Sequence, residues 1–409
     1  MKIGIIREGK TPSDSRVPLI PAQCAELIAQ GHDIVVQPSN VRTFTDEEYR
    51  QAGVPLREDL TDRDLLLGVK EVPIEQLIPD KDYCFFAHVI KEQPYNQPLL
   101  RAVMDRRIRL MDYEAFTGER GKRLIAFGYF AGMVGAHNGL WAYAQRHADL
   151  TLPRLKDLRD YAEAREIYAE THFPKLRIVL TGTGRVGQGA AKVLDDMGIR
   201  RVEPADYLKK NYEEAVYTVL MCRHYVKKSD GGPFDKEEFY AYPERYETAF
   251  LPYAHRSDIF INGIYWDNRA PAFFAVEDMR SPDFRARVIA DVTCDIAPVA
   301  SVPSTLRPST IADPVYGYDP VSASEVELSG NGSDGTYAIM AVDNLPNELP
   351  RDASTAFGQM FMDKILPEFK KKGSAILRRA SVTTREGELG PKFQYLTDYA
   401  SGVGVGVGS

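Results

Sequence analysis

Residues 176–198, LRIVLTGTGRVGQGAAKVLDDMG, decide the fold. An apolar run, LRIVL, reads as a buried strand; Gly182-Thr183-Gly184-Arg185-Val186-Gly187 fits GxGxxG; and a periodic segment closed by Gly198 reads as a helix. A glycine triplet alone is a weak signal, but between a strand and a helix each glycine has a task. Gly182 permits the tight turn, Gly184 lets a diphosphate approach the backbone at the helix N-terminus, and Gly187 allows close helix-to-strand packing. The unit is therefore read as a dinucleotide-binding βαβ element.

Working outward, an acidic residue about twenty positions on should hold the ribose hydroxyls. Glu203 and Asp206 lie at that distance, but RRVEPADYLKK is too polar for the second strand. YTVLM (217–221) is the better strand, and its tip carries Cys222, Arg223 and His224. An Arg with no acid suits a 2′-phosphate, so NAD and NADP both remain open. Further strands read at DIFING, RVIADV and YAIMAV. STAFGQMFMDKILPEFKKK reads as an amphipathic helix, and GVGVGVGS has too little side-chain bulk for a core.

The first ~115 residues alternate strand and helix, the pattern of a parallel sheet. Strands read at Lys2 to Ile6, HDIVV, DLLLGV, DYCFFA and IRLM, and Thr45 with Glu48 makes a capping box. Ligands bind beyond the carboxyl ends of such strands. There the chain places Arg7, Asp14 and Arg16, then Lys70 and Glu71, then His88, then Asp112 and Glu114. A Lys and a His at adjacent strand ends are candidates for proton transfer to an amine or carbonyl.

Four hundred and nine residues suffice for two buried cores, and the net charge of −7 leaves no basic excess for nucleic acid. Cys24, Cys84, Cys222 and Cys294 form no CxxC pair, which argues against a zinc site or disulfide framework and for a reducing compartment. MKIGIIREGK offers too short an apolar stretch for a signal peptide, so a cytoplasmic location is expected. Leu124 to Gln145 contains no Asp, Glu, Lys or Arg. Its Gly128, Gly132, Gly135, Ala136 and Gly139 suit a buried helix packed closely on another backbone better than a membrane span, because His137, Asn138 and Gln145 interrupt it.

Nine stretches, in order, resemble the lysine-forming saccharopine dehydrogenases within the wider alanine dehydrogenase and transhydrogenase group. They are REGKTPSDSRVPLIP, GVKEVP, FFAHVIKEQ, KRLIAFGYFAG, GTGRVGQG, GGPFD, DIFINGIYWDNRAP, ADVTCDIAP and VDNLPNELPRDAS. The fold class expected is α/β, two Rossmann-like doubly wound domains separated by a cleft. The resemblance implies a discontinuous substrate domain, 1–127 plus 346–395, a dinucleotide-binding domain at 128–345, and a disordered tail at 396–409. It implies Lys70 as base and His88 as general acid, with Arg16, Lys91 and Arg123 for carboxylates and Phe127 lining the same pocket. On the cofactor side it implies Gly184, Arg185, Tyr265, Val292 and Val342, Asp343, Asn344 and Leu345. Thr293, Cys294 and Asp295 continue the substrate edge.

Two departures stand out. The ribose-binding Asp of the family falls near Arg223 or His224, and the chain carries insertions around Glu203–Ala215 and Lys236–Tyr253. The reaction implied is NAD(P)-linked oxidation of a secondary amine such as saccharopine to an amino acid and a 2-oxo acid. The rivals are an ammonia-using amino acid dehydrogenase and a non-catalytic dinucleotide sensor.

Overall fold

The computed structural model describes residues 1–328 and 335–402. It divides into two compact units, Met1–Phe127 with the chain from Pro350 onward, and Gly128–Leu349. The first holds a five-stranded parallel sheet: β1 (Lys2–Ile5), β2 (Asp33–Val36), β3 (Leu65–Leu67), β4 (Asp82–Phe85) and β5 (Arg109–Asp112), in the order β2-β1-β3-β4-β5. β3 and β4 are buried along their whole length, which is why they read as apolar runs, in β4 after Asp82. The chain leaves β1 first to one side and then to the other, so the crevice between the carboxyl ends of β1 and β3 is the topological switch point.

The second unit contains β6 (Arg177–Thr181), β7 (Arg200–Arg201), β8 (Val216–Leu220), β9 (Val226–Lys228), β10 (Tyr246–Thr248), β11 (Ile259–Asn262), β12 (Val288–Asp291), β13 (Val315–Asp319), β14 (Ser324–Val326) and β15 (Tyr337–Met340). Eight of them form one sheet, β14-β13-β15-β12-β11-β6-β8-β7, parallel from β7 to β15. β13 and β14 run antiparallel at the edge. YTVLM thus lies directly beside the glycine-loop strand. The polar stretch after Gly198 supplies the two-residue β7 at the outer edge, where both arginines are exposed, and then the helix Pro204–Lys209. β9 and β10 make a separate antiparallel hairpin with Phe234, Phe239 and Tyr246 packed together.

Among the described residues, no helix is long and apolar enough to cross a membrane. The uncharged stretch forms the helix Gly128–Ala144, which packs on the helix Arg185–Asp196 that follows the glycine loop. The contact is backbone on backbone. A Cβ at Gly132 would lie 1.8 Å from the Val186 carbonyl oxygen, and one at Gly189 1.9 Å from that of Tyr129. The helix Pro350–Lys364 belongs to the first unit: Ser354 accepts a hydrogen bond from the Val17 N–H, and Phe357 stacks on Phe127 at 4.4 Å.

One correction concerns the tail. Ordered structure continues past 396, where the helix Thr397–Ser401 buries Tyr399 and Ala400, with Leu396 fully buried before it. The Tyr399 hydroxyl donates to the Gln93 carbonyl at 2.6 Å. The rest of the expected tail, from residue 403, lies outside the described residues.

Candidate active site

The first constellation sits at the strand ends of the first unit. Glu8, at the exit of β1, accepts the N–H groups of Val69 (2.6 Å) and Lys70 (2.8 Å) on its two oxygens. It thereby ties β1 to the end of β3 across the switch point and fixes the backbone from which Lys70 projects. Burial, reinforced by Asp14, pushes the Glu8 carboxyl up to about 8. The Lys70 amine is shifted below the ordinary lysine range, first by burial and then by the Arg16 guanidinium. Arg16 is 3% exposed, bonds Asp14 through Nε (2.9 Å) and Nη2 (2.6 Å), and stands 4.3 Å over the Phe127 ring.

One strand further, Asp112 at the end of β5 accepts the N–H groups of Ala87 (3.0 Å) and Glu114 (2.7 Å). This holds the turn in which His88 takes a left-handed backbone, φ 54°, uncommon for a residue with a side chain. The His88 ring approaches Glu71 (Nδ1 to Oε1, 2.7 Å), and the other Glu71 oxygen accepts from Lys10 Nζ at 2.8 Å. Burial opposes the Glu71 charge, but the bonds from His88 and Lys10 outweigh it and hold the carboxyl at about 2. Glu71, its neighbour in sequence, favours the charged Lys70 amine, but burial and Arg16 outweigh it in the net downward shift. Lys91, 56% exposed, and Arg123 both approach Glu114 Oε1, at 3.9 and 3.5 Å.

The second constellation lies in the Gly128–Leu349 unit. Gly182 has φ 101°, and a Cβ there would meet the Gly263 carbonyl oxygen at 2.4 Å; one at Gly187 would meet the Gly182 carbonyl oxygen at 2.0 Å. Gly184 differs: it precedes the helix, and a Cβ there would meet nothing within 4 Å. The loop is closed where packing needs glycine and open where a diphosphate would approach, so the residues present fit a dinucleotide. A cavity of about 700 Å³ begins at Gly182 and Gly184 and includes Arg223, Tyr265 and the hairpin segment residues Lys236 and Tyr240.

The remaining candidates are dispersed through the second unit. Arg185 opens the helix, and Val292, after β12, touches the site of a Cβ on Gly135. Val342 and Leu345 are core residues, with Asp343 exposed and Asn344 half-buried between them. Thr293 donates to the Ile264 carbonyl at 2.8 Å, and Cys294, φ 56°, donates its thiol to the Ala341 carbonyl at 3.2 Å. Burial raises the carboxyl of Asp295, whose Oδ2 has no hydrogen-bond partner among the described residues. The sequence reading missed Glu8 as the clamp on Lys70 and Lys10 as a partner of Glu71. It also missed the walls that the hairpin segment gives the cavity. GGPFD, inside that segment, was the one available signal.

Gly184→Asp gives a direct check. Open space and an Asp at the residue preceding a helix both favour folding, while the added carboxylate occupies the diphosphate approach. The variant is expected to unfold at the wild-type urea midpoint and to show no dinucleotide binding by calorimetry. Binding at wild-type affinity would remove the loop from the site.

Residues 4–134 match the alanine dehydrogenase/PNT N-terminal domain. Over 95% of its length the chain is 32% identical to the mitochondrial alpha-aminoadipic semialdehyde synthase of Rattus norvegicus, covering 47% of that protein. The chain thus spans about half the length of these larger relatives. It is 28% identical to the saccharopine dehydrogenase [NAD(+), L-lysine-forming] of Emericella nidulans, with 92% of this chain and 94% of that one aligned. Among solved structures, an L-alanine dehydrogenase superposes with a TM-score of 0.66 at 17% identity, over 97% of this chain and 99% of the other. The resemblance read from the nine motifs and the Rossmann-like α/β fold are both borne out.

Proposed function

We propose that the chain is an NAD(P)-dependent oxidoreductase acting on the CH–NH bond of a secondary amine such as saccharopine, giving an amino acid, lysine, and a 2-oxo acid, 2-oxoglutarate. The observation that carries this reading is a Lys70 amine pushed below its ordinary range, one strand from a His88 ring locked to a carboxylate. The likeness to a lysine-forming saccharopine dehydrogenase over nearly its whole length supports the choice of substrate. A nicotinamide dinucleotide, when bound, would supply the hydride acceptor for the carbon next to the substrate nitrogen. Lys70, as neutral amine, takes the proton from that nitrogen, and an imine results. His88 then removes a proton from the attacking water and moves protons as the carbinolamine collapses to free amine and 2-oxo acid.

Arg16 favours the neutral Lys70 by its charge, while Lys91 and Arg123, converging on Glu114, present cations to substrate carboxylates, with Phe127 as the apolar wall. Gly182, Gly184, Arg185 and Gly187 would hold the diphosphate, and Arg223 and Tyr265 the adenosine end. Val292, Thr293, Cys294, Asp295 and the 342–345 segment keep the roles that the family likeness gives them. All four cysteines are free thiols, which fits a reducing, cytoplasmic setting.

The test is a panel monitored by nicotinamide absorbance, crossing 2-oxo acids with lysine, other amino acids and ammonia, with saccharopine for the reverse direction. Oxidation of saccharopine and reductive condensation of lysine with 2-oxoglutarate are expected. Turnover with ammonia in place of lysine would replace this reading with an alanine-dehydrogenase-like reaction. Dinucleotide binding without turnover on any pair would leave a sensor.

A further inference from the structure

We infer that Tyr395 and Tyr399 are positioning residues: their hydroxyls clamp the turn that carries Lys91 and so set its grip on a substrate carboxylate. This rests on the reading of Lys91 as a cation for that carboxylate, and adds that chain 305 and 306 residues further on controls the grip. The turn has little to hold it from within. It is the single 3₁₀ turn Val89–Lys91, flanked by His88 and Glu92, both with φ 54°. Residues with a Cβ avoid that left-handed backbone. The N–H groups of Lys91 and Glu92 bond back to the His88 and Val89 carbonyls at 3.4 and 3.1 Å, and a turn this short does not persist alone. Asp112 secures its entry through the Ala87 N–H. Its exit is secured from the 393–401 segment.

Tyr395 donates its hydroxyl to the Ile90 carbonyl at 3.0 Å and Tyr399 to the Gln93 carbonyl at 2.6 Å, so the two bonds bracket Lys91 along the chain. A return bond runs from the Gln97 side-chain amide to the Ala400 carbonyl at 3.3 Å. Beneath them, Leu396 and Tyr399 share one buried cluster with Val89, Leu100 and Val103, which seats the segment against the turn. Burial accounts for Tyr399, 4% exposed. It does not account for Tyr395, which is 54% exposed and still directs its hydroxyl to the turn. Lys91 is the group that needs such support. Its side chain is mostly exposed, and its ammonium stands 3.9 Å from Glu114 Oε1, too far for a hydrogen bond, so this contact holds it loosely. The backbone of the turn therefore decides where the ammonium can reach.

Phenylalanine at either position keeps the ring and removes the clamping bond. On the full chain with saccharopine as substrate, Tyr395→Phe and Tyr399→Phe should each raise KM about threefold and together about tenfold, the scale of one charge-assisted hydrogen bond. The dinucleotide affinity read by calorimetry should not change, and kcat should fall by less than KM rises. Lys91→Met should raise KM by a similar factor, and adding both Tyr changes to it should raise KM no further. A merely destabilised unit would raise it in both backgrounds. Hydrogen exchange reads the clamp without substrate: the amides of residues 89–93 should exchange about tenfold faster in the double Phe variant. An unchanged KM in that variant, an equal rise with and without Lys91, or exchange at the wild-type rate would each overturn the assignment. A wild type that does not turn over saccharopine would sink the substrate reading alone, and the clamp would then stand or fall on the exchange rates.

Discussion

Lys70→Met should lower kcat/KM for oxidative amine cleavage by about 10²- to 10⁴-fold, the usual contribution of one positioned base, while calorimetry shows dinucleotide affinity unchanged. Methionine keeps an unbranched stem of nearly the same length, with sulfur in place of one methylene, and removes the amine. The sign of the pH effect follows from the shift. Burial and Arg16 favour the neutral amine, so Lys70 loses its proton below the ordinary lysine value of about 10.4. Wild-type oxidative kcat/KM should therefore rise with pH through an apparent pKa below that of free lysine. Lys70→Met should lack this limb; His88→Gln should retain it and be slowed in imine hydrolysis. The values belong to a coupled system, so the limb that disappears carries the assignment. A Lys70→Met enzyme with wild-type turnover and profile would make that lysine a solvated strand end.

Gly132→Ala should destabilise the protein by about 3 kcal/mol, at the upper end for overpacking, because the obstruction is a backbone carbonyl that cannot rotate away. Gly189→Ala should cost a similar amount across the same pair of helices. The double variant should cost much less than the sum, since helices already parted by one methyl accommodate the second. Urea unfolding of the three variants measures this, with Gly184→Ala as control at within about 1 kcal/mol, its added Cβ meeting nothing within 4 Å. Additive costs would mean that the two glycines do not report on one contact.

Sequence made the parallel strands legible because buried strands such as LLL and VYTVL are apolar at all or all but one of their positions. The glycine loop was legible because its turn, opening and packing residues are all local. Legibility failed where long-range packing decides. β7 is two exposed arginines whose only strand signal is the partner they pair with, and Leu396 and Tyr399 look like a linker until the Gln93 segment covers them. Glu8 reaches amides 61 and 62 residues away, a link that no periodicity carries. The cluster of Lys91, Arg123 and Glu114 was visible only as separate charges after separate strands. Inserted chain around Lys236 read as extra length, although its aromatic residues complete the cavity wall.

The bond between His88 and Glu71 also bears on the order of events in the proposed reaction. A carboxyl held at about 2 is an anion at any working pH and can only accept, so the proton on that side of the imidazole stays on Nδ1. Only Nε2 remains for exchange. The ring thus behaves as a single-berth ferry: it must unload one proton before it can board another, and it cannot conduct by taking a proton on one nitrogen while releasing it from the other. In the proposed reaction, water activation and carbinolamine collapse would then have to follow one another. In ¹⁵N spectra the ring should show one tautomer, Nδ1–H, and Glu71→Gln, which can accept or donate, should release the second.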